Sequence, residues 1–319
     1  MRLILSFGRH LVSSLMLILL LTGSAGATRM IGAIVTADLP HYRQEQHALE
    51  QILRAGGYPA GRLEIFVQTP NSDPMSLRNS IRRAVAAGAE LLITYGALAT
   101  AAAVEEAGDL PILFADVYDP VEPGFVQNLL APGVNRSGAS SRVSLDPLLE
   151  KLQNIRSACR ILAMYDDRET DSVRQLNDLR EAARRQGMHV IPLKAGRNPV
   201  QAAIDAAGKV DFLLLTTAVS IEQNLDDIIA AATAVKLPVI ATTFGAGQKG
   251  ALFTYAGHPN DQGKLVAVHA LQVLAGQKAY MLPVRTPKKA YLVLNLQVAD
   301  RLGLALPEEA TKNLDKVLR

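Results

Sequence analysis

Residues 110–141 read L-P-I-L-F-A-D-V-Y-D-P-V-E-P-G-F-V-Q-N-L-L-A-P-G-V-N-R-S-G-A-S-S, from Leu110 to Ser141. The apolar run from Pro111 to Ala115 is short and β-rich, as a strand buried on both faces of a parallel sheet is. Asp116, Tyr118 and Asp119 follow at its carboxyl end, and Pro120 closes the turn. Ligands of open α/β sheets bind at that edge, outside the carboxyl ends of the strands. The segment Phe125 to Leu130 reads as a short helix. Gly133 to Ser141 reads as a second polar turn, whose small hydroxyls can face a cleft.

The flanking sequence alternates strand and helix. Strands are expected at Met30 to Val35, Leu63 to Val67 and Glu90 to Tyr95. Helices are expected from about Tyr42, ended by Gly56-Gly57, and after a cap at Ser76, ended by Gly88. Gly96-Ala97 opens an alanine-rich helix whose free N–H groups suit either an anion or close packing on the sheet. Beyond Ser141 the alternation restarts, with strands at Arg160 to Tyr165, His189 to Leu193, Asp211 to Leu215 and Pro238 to Thr242. A strand at Ala290 to Leu294 and a helix from Pro307 close the chain. Two βα series of similar length predict an α/β protein of two doubly wound parallel-sheet lobes joined by a hinge. The expected division is 28–140 plus 257–282 for the first lobe and 141–256 plus 283–319 for the second. A cleft between such lobes would trap a small molecule by closing.

The first 27 residues are a predicted secretory signal: Arg2 and Arg9, an apolar run from Leu15 to Leu21, then Ala25-Gly26-Ala27. A retained membrane anchor is the alternative. No cysteine stands near the cleavage site, so a lipoprotein is not expected, and the predicted location is periplasmic. Of 319 residues, 49% are hydrophobic and 20% charged, enough for two packed lobes. Setting aside Arg2 and Arg9 leaves 31 basic and 30 acidic side chains, no footprint for nucleic acid or an anionic membrane. The single cysteine, Cys159, reads as a core residue, with no internal disulfide available.

Local motifs argue against an enzyme. Gly245 to Gly250 matches G-x-G-x-x-G, but the apolar, β-rich Ala251 to Tyr255 follows where a dinucleotide site needs a helix. The histidines at 41, 47, 189, 258 and 269 lack H-x-x-x-H spacing, so no metal is expected. No G-x-S-x-G elbow is present, and no cofactor is expected.

The stretch P-I-L-F-A-D-V-Y-D-P-V-E-P-G-F-V with P-G-V-N-R-S-G-A-S resembles the signature of the ABC-transporter substrate-binding proteins whose members include tryptophan, tyrosine and other amino-acid binders. A-M-Y-D-D-R-E-T-D-S at 163–172, P-V-I-A-T…G-A-L at 238–252 and L-V-L-N-L-Q-V-A-D-R-L-G-L-A-L-P at 292–307 extend the likeness over nearly the whole mature chain. It implies a type I periplasmic-binding-protein fold with three crossing segments, a small-molecule ligand, a membrane ABC permease as partner, and a monomer. A sensory module signalling to a membrane receptor is the alternative with the same fold.

The ligand side is then carried by Tyr95, Gly96, Ala97, Asp116, Tyr118, Asp119, Ser140, Ser141 and Tyr165, with Thr217 and Thr243 on the second lobe. Asp119 and Asp116 also suit purely structural roles, Asp119 as an Asx turn. Tyr118 and Tyr165 read either as cleft walls or as packing. Two departures bear on the ligand. Thr217-Ala218-Val219 stands where the family often has Thr-Asp-Asn, and His258-Pro259 where it often has Asp-Tyr. The groups that would meet an amino acid's ammonium and carboxylate are therefore absent, unless Asp116, Asp119 or Asp166 takes over.

Overall fold

A computed structural model describes residues 28–196, 198–205 and 208–319; the expected signal segment lies outside them. In chain order come β1 (Arg29–Val35), α1 (Pro40–Ala55), β2 (Leu63–Gln68), α2 (Pro74–Ala86), β3 (Leu91–Tyr95), α3 (Ala97–Glu106), β4 (Ile112–Val117) and β5 (Arg136–Ser140). These strands form one parallel sheet ordered β2-β1-β3-β4-β5. Then come α4 (Asp146–Ile155), β6 (Arg160–Tyr165), α5 (Thr170–Arg185), β7 (His189–Lys194), α6 (Pro199–Asp205), β8 (Phe212–Leu215), α7 (Val219–Glu222), α8 (Leu225–Ala234), β9 (Val239–Ala241) and β10 (Phe253–Ala256). After α9 (Pro259–Leu274) the chain ends with β11 (Tyr291–Asn295), α10 (Leu296–Leu302), α11 (Glu308–Thr311) and β12 (Lys316–Leu318). The second sheet is ordered β12-β11-β10-β9-β8-β6-β7, with β10 and β11 its antiparallel pair. Each sheet reverses strand order once, between β1 and β3 and between β6 and β8, and such switch points open a crevice at the strand ends.

The elements follow from the side chains they bury. In α1 the buried Tyr42, Ala48, Leu49 and Leu53 recur at helical spacing. Val266, Ala267 and Ala270 of α9 pack into the same core. Gly263 makes that helix pair possible, because a Cβ there would lie 2.1 Å from the Glu45 carbonyl oxygen. Cys159 is buried in the second lobe's core, and burial pushes its thiol up to about 11.

The chain leaves the first sheet after Ser140 and returns after β10. It crosses again beyond Arg285, which pairs with the edge of β5: Ser140 N donates to Arg285 O (2.8 Å) and Arg285 N to Gly138 O (2.9 Å).

Three local expectations are corrected. The polar turn expected over Gly133 to Ser141 contains the edge strand β5, since a Cβ at Gly138 would lie 2.1 Å from Phe114 O and only glycine lets β5 reach β4. The helix expected from Phe125 to Leu130 is a run of bends that follows turns at 121–124. Asp119 fixes the first of them by accepting from Val121 N (3.0 Å) and Glu122 N (3.3 Å), while Phe125 and Val126 bury under β4. The cap of α2 is Asp73, which accepts from Ser76 N (2.9 Å) with Pro74 in the first turn, so Ser76 is the donor. The glycine-rich loop at 245–250 joins β9 to β10 through one 3₁₀ turn.

Candidate ligand-binding site

The strand ends of the two sheets line a common cavity. His41, Glu45, Asp116 and Tyr118 line it from the first lobe; Gln175, Thr217, Glu222, Thr242, Thr243, Phe244 and Tyr255 line it from the second. Ser141, Val143, Gly257, Pro259 and Gln262 complete it near the crossings.

One end of the cavity is acidic. Asp116 lies in a β-bulge where the β4–β5 register shifts between Phe114 and Val117, and its φ is +53°. A left-handed aspartate inside a strand is a strained conformation that points to function. His41, in the first turn of α1, places Nε2 3.4 Å from Asp116 Oδ2 and Nδ1 3.4 Å from Glu222 Oε2. Glu45 lies one helical turn further along and is 1% exposed. Neither its Oε2 nor His41 Nε2 has a hydrogen-bond partner among the described residues.

Burial governs the charges. It raises Glu45 and Glu222 well above the carboxylate range, and the facing Asp116 raises both further. Burial lowers His41 below its ordinary value, against the pull of Asp116. Behind this group, burial also pushes Asp171 and Glu169 up to about 7. A positive group entering the cavity would draw these acids toward their charged form.

The rest of the lining carries no charged side chain. Gln175 of α5 accepts from Thr217 N (2.8 Å) and lies 2.8 Å from Thr242 Oγ1, which fixes two threonines at the ends of β8 and β9. Phe244 makes an aromatic wall. Its ring is held by His258, centroid to centroid 4.6 Å, and His258 also caps α9 by accepting from Asn260 N through Nδ1 (3.2 Å). No Lys or Arg among the described residues lines the cavity.

Asp116, Tyr118, Ser141, Thr217 and Thr243, all singled out in the sequence, meet in this cavity. The other candidates lie elsewhere. Asp119 pairs with Arg142 (3.0 Å) and Arg174 (3.3 Å) beside the cavity and makes its Asx turn. Ser140 Oγ donates to Tyr118 O (2.8 Å). Tyr95 is buried beneath Tyr42, and a Cβ on Gly96 would lie 2.4 Å from the Tyr42 hydroxyl, so the start of α3 is closely packed. Ala97 packs against the Phe114 cluster and Tyr165 against the second lobe's core.

His41, Glu45, Glu222, Gln175, Phe244 and Gln262 are cavity residues absent from the sequence-based set. A His-x-x-x-Glu spacing just beyond the end of β1 is the sequence signal for the first two. Glu222 follows from the Ala218-Val219 departure, since those residues start α7, which swings Glu222 to face His41.

The sequence profile of the ABC transporter substrate binding protein family matches residues 31–318. The chain belongs to that family. A "Tyrosine-binding protein" of Clostridioides difficile is 26% identical over 269 residues, 83% of this chain and 78% of the relative. Among solved structures, an ABC domain in complex with L-Trp from Streptococcus pneumonia superposes with TM-score 0.87 at 21% identity, over 92% of this chain and 100% of that one. A conserved domain protein from Vibrio cholerae gives TM-score 0.86 at 23% identity, over 91% and 99%. The expected fold, that of type I periplasmic binding proteins, is thus shown.

Proposed function

We propose that this substrate-binding protein captures a small solute outside the cytoplasm by closing its lobes, then delivers it to a membrane ABC permease. The observation that carries the reading is the cavity itself, built by strand ends of both sheets and lined by a carboxylate–imidazole group and by Phe244. The solute fitting these walls has an apolar or aromatic body and a head group that needs no protein cation. The tyrosine-binding relative supports an amino-acid-like ligand. No helix among the described residues is long and apolar enough to cross a membrane.

A thermal-shift panel of small amines, amino acids and aromatic metabolites tests the reading. A true ligand at a hundred times its Kd adds about 2.7 kcal/mol to stability. The shift should disappear in Phe244→Ala, whereas a shift unchanged by that substitution would place the ligand elsewhere.

A further inference from the structure

We infer that the acidic end of the cavity is a binding site for a first-row divalent metal ion of the zinc type, held by His41 Nε2, Glu45 Oε2 and Asp116 Oδ2. The donor atoms of these three residues lie within 4.8 Å of one another. The His41 Nε2–Asp116 Oδ2 separation of 3.4 Å matches two ligands about 2.1 Å from a tetrahedral ion. Two of the three donors, His41 Nε2 and Glu45 Oε2, are among the buried side-chain atoms without a hydrogen-bond partner among the described residues. A metal ion would satisfy both at once.

The outer partner points the same way. A metal-bound imidazole commonly donates its other N–H to a carboxylate, which fixes the tautomer and turns the free lone pair toward the ion. Glu222 stands 3.4 Å from His41 Nδ1, on the side away from Asp116. An imidazole nitrogen grouped with two carboxylates, with a third acid at the other ring nitrogen, is a donor set of the kind that holds such an ion. Imidazole with carboxylate oxygens suits zinc and its neighbours better than calcium or magnesium, which prefer all-oxygen sites. Three protein ligands leave a position open toward the cavity, where a water or a solute's amine or carboxylate would complete the shell. Glu222 belongs to the opposite lobe, so the metal would also draw the lobes together.

The test is calorimetric titration of the chelator-stripped mature protein with zinc chloride, alongside the visible spectrum of the cobalt(II) form. One equivalent of zinc should bind per chain. Glu45→Gln and His41→Ala should each weaken binding at least a hundredfold, and Glu222→Gln about ten- to a hundredfold. Circular dichroism should show all three folded, and Asp226→Asn at the surface should bind as the parent does. Cobalt(II) should give ligand-field bands that Glu45→Gln abolishes. Failure of zinc to bind, or binding unchanged in Glu45→Gln and His41→Ala, would overturn the proposal. An amine solute that binds the metal-free protein where zinc does not would also overturn it, yet would leave solute capture standing.

Discussion

Glu45 shows how a residue can be set against the stability of its own fold. It occupies the apolar face of α1 beside Leu49, almost fully buried, with one carboxylate oxygen unpaired. Burial makes its charged form costly, so the solute-free protein loses stability as pH rises above the ordinary carboxylate value, where the unfolded chain releases the proton that the folded one keeps. Glu45→Gln should therefore raise the melting temperature of the chelator-treated protein by several degrees at pH 8 and by less at pH 5; a lower melting temperature at pH 8 would contradict this. The position was hidden in the sequence because Tyr42, Leu49 and Leu53 define the helix by their apolar spacing, and a single acid among them reads as an interruption. Asp116 was legible because it stands at the end of a β-rich run, where ligands of α/β sheets collect. Its left-handed backbone and its facing partners arise only when β5 pairs beside β4.

At the scale of elements, the α1–α9 pair sets the cavity floor, since α1 carries His41 and Glu45 while α9 carries Gln262. Gln262 Nε2 donates to Ser140 O (3.0 Å) and its Oε1 accepts from Asp116 N (3.3 Å), tying the helix to the ends of β4 and β5. Gly263→Ala would push a methyl group against the Glu45 carbonyl. It should cost about 1–3 kcal/mol in denaturant unfolding, and an unchanged midpoint would show that the helices can part without loss. Most strands and long helices were readable from apolar runs and caps. The short elements were not: β5 has the composition of a turn, R-S-G-A-S, and is a strand only through its pairing with Phe114 and Arg285. The four residues of α7 are too few to show a period, which is why Glu222 escaped notice.

At the scale of the molecule, buried acids from both lobes face one another across the cavity. Burial pushes Glu169 and Asp171 up to about 7 in the folded protein and raises Glu45 and Glu222 well above the ordinary carboxylate value. The native state thus holds protons that the unfolded chain has released, and stability falls as pH rises through this range. His41 and His269, lowered by burial, act the opposite way only below about 6.5, where the unfolded chain takes up their protons. Asp166, held near 2 by Arg168, contributes stability throughout that is lost only in strong acid. Between pH 6.5 and 8 the denaturation midpoint of the chelator-treated protein should therefore decrease, and an increase would refute the charge assignment. Capture by closure is tested most directly by small-angle X-ray scattering during solute titration. The radius of gyration should fall to a plateau as the solute saturates the parent, and should not change when the same solute is added to Phe244→Ala. Saturable binding with no change in dimensions, or the same contraction in both proteins, would contradict capture between the lobes.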